Sequence, residues 1–333
     1  MLLSPLPLLL PLLLLPPLLL PLPLLYYSPW YVRNHGSTYL CEACMAKTTG
    51  PLIYTDFREA APHRLTCIDH DTYLRTTARS EWSPWTQVAD WNIFLQRDDP
   101  QHILFNAGVA SDVVGSAIAS LIHDGHWGAE STEVICEKLY KNFVESKYGA
   151  LDAHFPKPFS ARRLGLGGNC WPRVAPGYKH GQVRAFLHWA PSLTAPHVES
   201  ELGALRHLCV ASLSGWVELL DKADVVLTQR QQDAAMMLGR KFFDSFGVLH
   251  EHAKHADLWL WGVRPKFHQL DHTMRHVHQS KLNPLWWSCW MEEDLMGRSA
   301  KITRRVHASF AGLKRALTRY KMFLHCEFIC QQQ

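Results

Sequence analysis

Apolar positions recur at steps of three and four through most of the chain beyond residue 100, which predicts a run of amphipathic helices. Val134, Leu139, Phe143 and Val144 share one face of a helix over Thr132–Tyr148. Leu202, Leu205, Leu208 and Leu213 do so over Glu199–Ala223. Thr228 can cap a helix running to about Ala253, with Met236, Met237, Phe242, Phe243 and Phe246 as its stripe. The longest stripe, from Ile302 through Phe310 and Leu317 to Leu324, predicts a helix over Met291–Leu324. Val109–Ile122 is different: small and apolar all round, it predicts a buried, closely packed helix ended by Gly125 and Gly128. Gln182–Leu193 is a shorter helix stopped before Pro196, and the Gly/Pro-rich residues 149–181 form the connection before it.

The first hundred residues lack this order. Residues 26–100 hold no sustained period and are expected to be loops with a short helix or two. Thr38–Cys41 is a candidate short strand, and Trp82 and Trp85 around Pro84 a packed loop. Residues 1–25 are almost entirely leucine and proline, with no Pro-free run longer than four residues. Each interior proline removes a helix bond, so a membrane span is not expected there. The tract also lacks the basic start and small-residue cleavage site of a signal peptide. The expected fold is therefore mainly α: a bundle-like helical domain over 99–325, an irregular and candidate zinc-binding segment over 29–98, a disordered Leu/Pro tail over 1–28 and a short tail over 326–333.

Composition narrows the picture only slightly. A formal charge of +4 over 333 residues requires a local basic patch to meet any anionic partner. Nine dispersed cysteines, several inside apolar patterns such as LRHLCVASL, fit reduced buried thiols in an intracellular compartment.

Three constellations carry candidate chemistry. Cys41-Glu-Ala-Cys44 is half a zinc site, with His63 and Cys67 following at finger-like spacing and His102 further on. His268, His272 and His276 fall four apart, so a helix would line them along one face. Two of them with a carboxylate can hold a divalent metal, or all three can be ordinary polar positions. Glu292, Glu293 and Asp294 open the last predicted helix, where acids are favoured by the helix dipole in any case. From Arg298 to Lys321 that helix has eight Lys/Arg and no acid. Arg298, Lys301, Arg304, Arg305, Lys314, Arg315 and Arg319 are then either a phosphate-contacting face or a solvated one. His250-Glu251 is not a zincin motif, because Lys254 stands where the second histidine belongs.

Read together, Cys41-x-x-Cys44, Asp99-Pro-Gln-His102 with the helix after it, and PKFHQLDH…NPLWWSCWMEED resemble the C-terminal half of cut-and-paste DNA transposases of the CACTA/Plavaka type. Multicopy proteins of unicellular algae carry the same pieces. The resemblance covers roughly residues 38–300. It implies metal-dependent phosphodiester strand transfer, with magnesium held by three acids. Of these, Glu293 (or Glu292) matches the last, while Asp99 and His102 match a DxxH element and Cys41 and Cys44 the CxxC. The first two acids should precede Cys41, and residues 1–40 contain neither Asp nor Glu. The expectation is a nuclear, DNA-binding but catalytically incomplete remnant with no small-molecule substrate. Two alternatives stand beside it: a helical interaction module stabilised by zinc, and a metal-dependent hydrolase built on His268, His272 and Glu293.

Overall fold

The computed structural model describes residues 40–41, 43–76, 92, 98–149, 157–166, 170–174 and 177–288, and the chain divides after Trp287, so everything below concerns the first unit. The predicted helix Met291–Leu324, the Leu/Pro tract and the loop around Trp82 lie outside the described residues. Among those described there is no strand, only isolated bridges at Lys47–Ile53 and Val226–Leu282, and the fold is mainly helical. Leu40 and Cys41, the described end of the candidate strand, carry none.

After a 3-10 turn at Pro62–Thr66 come α1 (His70–Thr76), α2 (Pro100–Leu104), α3 (Val109–His123), α4 (Thr132–Glu145), α5 (His180–Thr194), α6 (Glu201–Asp221), α7 (Gln229–His255) and α8 (Pro265–Ser280). The centre is α3, buried at every residue from Val109 to Leu121. Its small residues let backbone approach backbone. A Cβ on Gly115 would stand 2.5 Å from the Cα of Arg173, so only glycine admits segment 170–174 there. The Val174 amide donates to the Ser111 carbonyl at 2.9 Å and fixes that segment's register.

α6 and α7 form a long helical pair, α5 packs on α3 and α6, and α8 on α7 and α2. α6 and α7 both start at a side-chain cap. Ser200 accepts from the Gly203 amide, and Thr228 forms a reciprocal box with Gln231. α5 carries Pro191 inside its last turn, where the lost backbone bond falls close to the helix end. The connection before it contributes core as well: Phe159 and Tyr178 pack edge-on against Phe186 of α5. Trp189 donates its indole proton to Asn142 of α4 at 2.9 Å.

Four residues placed on buried stripes are instead exposed: Val134, Leu208, Met236 and Met237. On α7 the reason is visible. Ala235 is buried, and a Cβ on Gly239 would lie 2.8 Å from the Met274 sulfur of α8. Small residues make the contact there, and the larger methionines flank it.

Asn283 ties the end of α8 to the end of α6. Lys281 stops α8 in the left-handed conformation at φ 62°, and the chain then runs antiparallel to residues 225–227. The buried Asn283 side chain donates to the carbonyls of Leu220 at 2.7 Å and Ala223 at 3.2 Å, and accepts from the Leu285 amide at 3.0 Å. Replacing Asn283 with Ala orphans these buried groups. We expect a loss of about 1–3 kcal/mol in denaturant-unfolding stability.

Candidate metal centre

Cys41 and Cys44 lie on a tight turn held from both sides. The Leu40 amide donates to the Ala46 carbonyl at 3.2 Å, the Ile68 amide to Ala43 at 2.9 Å, and the Met45 amide to the Thr66 hydroxyl at 3.0 Å. Both cysteines are buried with Leu40 and Ala46, and Tyr54 packs against them. Opposite stands α8, which begins with Pro265 at its first turn. The four-residue step puts His268 and His272 on one face, with His268 fully buried.

The two halves meet. Cys44 Sγ is 3.3 Å from His268 Nε2, Cys41 Sγ is 3.4 Å from His272 Nε2, and the two Nε2 atoms are 3.1 Å apart. All four donor atoms lie within 4.8 Å of one another. Tetrahedral zinc, with bonds of about 2.3 Å to sulfur and about 2.05 Å to nitrogen, requires edges of about 3.5 Å for S···N and about 3.3 Å for N···N. These three edges come within a few tenths of those values, and the group's spread of up to 4.8 Å is wider than a bound tetrahedron, so the donors would draw in around an ion. Two thiolates and two imidazoles suit zinc, whereas magnesium takes oxygen ligands, and none is in this set.

The electrostatics favour ligation. The Cys41 thiol donates to Cys44 and the Ala46 amide also points at Cys44, holding the Cys44 thiol below its usual range. That same contact, with burial, raises Cys41; the pair thus shares a proton that a cation would displace. Burial, then the neighbouring His268 and Arg275, push His272 well down, so its ring is neutral as a ligand must be. One contact must change on metal binding. Arg275 Nη2 lies 3.2 Å from His272 Nδ1, and an arginine only donates, so the ring proton here sits on Nε2. Ligation through Nε2 would require that proton on Nδ1 and would leave Arg275 to Asp271, whose carboxylate it already meets at 3.0 Å. Asp271 also receives Arg64 at 2.9 Å, a second tie between the N-terminal loops and α8.

The remaining sequence candidates lie elsewhere. His276 sits one turn along α8, its ring 6.0 Å from Trp287. His63 is fully buried, 4.8 Å ring to ring from His268, with neither nitrogen hydrogen-bonded. Burial, reinforced by His268 and Arg275, pushes its pKa down to about 4. Cys67 is exposed, its thiol on the Arg64 carbonyl. The finger-like completion by His63 and Cys67 is therefore replaced by α8, 224 and 231 residues away. Asp99 caps α2 through the Gln101 amide, and its other oxygen holds His102 Nδ1, so the DxxH element closes on itself outside the four-donor group. Glu293 and the basic residues Arg298, Lys301, Arg304, Arg305, Lys314, Arg315 and Arg319 lie outside the described residues.

No spacing rule links Cys44 to His268. The available signal was that CxxC and HxxxH are each half a site. No family model, curated protein or solved structure matches this chain.

The purified protein is expected to carry one zinc ion per chain by elemental analysis. Cys44→Ser should lose it and melt lower. A strong chelator should lower the melting temperature of the wild type and leave that of Cys44→Ser unmoved.

Proposed function

We propose that the four-donor centre is a structural zinc site and that the protein works by binding, not by catalysis. The observation that carries this reading is coordinative closure. Four protein donors converge in a largely buried space, and a tetrahedral ion held by all four keeps no position for water or substrate. A hydrolase on His268 and His272 would need such a position, and both histidines are committed to the cysteine pair.

The partner we propose is DNA, through descent from transposases. Support for that reading is that CEAC and PKFHQLDH, two of the pieces carrying the resemblance, meet in one buried site. Parts of a single ancestral motif would do this, whereas chance matches so far apart in sequence would have no reason to. Arg298, Lys301, Arg304, Arg305, Lys314, Arg315 and Arg319 are the proposed phosphate contacts. The competing reading, a zinc-stapled module for protein partners, rests on the same centre without those contacts.

Fluorescence anisotropy with duplex DNA across a salt series separates the two. Phosphate contacts predict log-linear weakening with salt, at about 0.9 per contact. Replacing Arg304, Arg305, Arg315 and Arg319 by Ala should flatten that slope. Absence of duplex binding at low salt by the folded chain would sink the DNA reading. Magnesium-dependent nicking abolished by Glu293→Ala would sink the non-catalytic one.

A further inference from the structure

Away from the metal centre, segment 170–174 and the loop 256–264 bring two tryptophans to the surface. Trp171 and Trp259 are 37% and 49% exposed, with ring centroids 5.8 Å apart and planes tilted by 51°. Trp189, Trp216 and Trp261, by contrast, are buried.

The mounting of this pair is rigid. Segment 170–174 lies on α3 because Gly115 admits it. The Trp171 indole lies directly on Gly262, where a Cβ would stand 2.2 Å from the ring. Trp261 pins the loop: its amide donates to Ser116 at 3.2 Å and its indole to Ser120 at 3.0 Å, and its carbonyl meets His250 Nδ1 at 2.9 Å. Asp257 and Trp261 are held at φ 52° and 53°, a conformation that side chains resist and that surrounding structure must impose. Such strain is concentrated at functional positions.

Cations flank the rings. Arg173 and Arg264 each place Nε 3.5 Å from a different oxygen of the buried Asp112. One carboxylate faces two guanidiniums, so a positive charge is left over. Among the described residues no acceptor takes their terminal N–H groups. The Arg264 guanidinium carbon lies 6.0 Å from the Trp171 ring. Asp257 is the exposed acid on the same loop.

We infer that this face binds single-stranded nucleic acid, with an unpaired base stacked on the exposed tryptophan pair and the adjoining phosphate held by Arg173 and Arg264. Guanidinium forks match phosphate oxygens, and an indole face stacks any base. The tilted rings are not stacked on one another, which leaves a face open to a third ring. A duplex keeps its base faces covered, and an apolar protein anchor would have no use for two open forks. The site uses none of the four metal donors and none of residues 298–319.

The test uses the full chain and a labelled ten-nucleotide oligothymidylate, with a blunt duplex as comparison. Trp259→Ala should weaken single-strand binding roughly tenfold and leave duplex binding unchanged. Trp259→Phe should retain most of the affinity, and Arg173→Ala should lower the salt slope by about one. Trp286→Ala removes another exposed tryptophan and should have no effect. Replacing Arg304, Arg305, Arg315 and Arg319 together should leave this site working even if duplex binding is lost. Wild-type affinity in both Trp259→Ala and Arg173→Ala overturns the inference. So does failure of the folded chain to bind the oligonucleotide at low salt, which would assign the tryptophan pair to a protein partner.

Discussion

Two half-sites of metal donors, each useless alone, must be brought together across more than two hundred residues of chain. That closure is the constraint on which the N-terminal part of this structure depends. Loop closure over 224 to 231 residues costs about 5 kcal/mol in chain entropy. Two buried thiol–imidazole contacts return about 1 kcal/mol each, and the Asp271–Arg64 pair cannot be counted on for more, since desolvation offsets its attraction. A structural zinc ion contributes about 10–16 kcal/mol. Other contacts also tie these loops to the helices, among them the Tyr54 hydroxyl on the Val263 carbonyl at 3.3 Å and Phe57 stacked on Phe243, and an ion held by all four donors would add to them.

α8 serves more than one purpose. Its interior face carries His268 and His272, while its first residue follows Arg264, which reaches Asp112 on α3. Four residues of helix rise about 6 Å, so an ion that locks His268 also fixes the start of α8 from which Arg264 extends. The metal centre and the tryptophan–arginine face share this scaffold without sharing side chains. α3 is the other common support: its small residues admit segment 170–174 on one side, and its serines hold Trp261 on another.

Much of the helical frame was legible because burial along α4 and α7 follows the 3.6-residue repeat, while α3, apolar all round, is buried on every face. Thr228 read correctly as a cap, since capping is a local interaction between a side chain and amides two or three residues on. Met236 and Met237 misled because apolar size does not say which face is packed; Gly239 and Ala235, with almost no side chain, make the closest approach. The metal centre was legible only as fragments. CxxC and the histidine ladder each have a local signature, but their pairing depends on how α8 lies against the loops, a tertiary fact with no sequence spacing to announce it. Asp99 can be read two ways from sequence: an acid ahead of a proline and a histidine reads as chemistry, and in the fold it caps a short helix.

X-ray absorption at the zinc edge of the purified full chain tests the central claim most directly. The account predicts a first shell of two sulfurs at about 2.3 Å and two nitrogens at about 2.05 Å, with the outer-shell scattering of imidazole rings. A first shell of oxygen and nitrogen alone, or protein that folds stably and takes up no zinc, would contradict it.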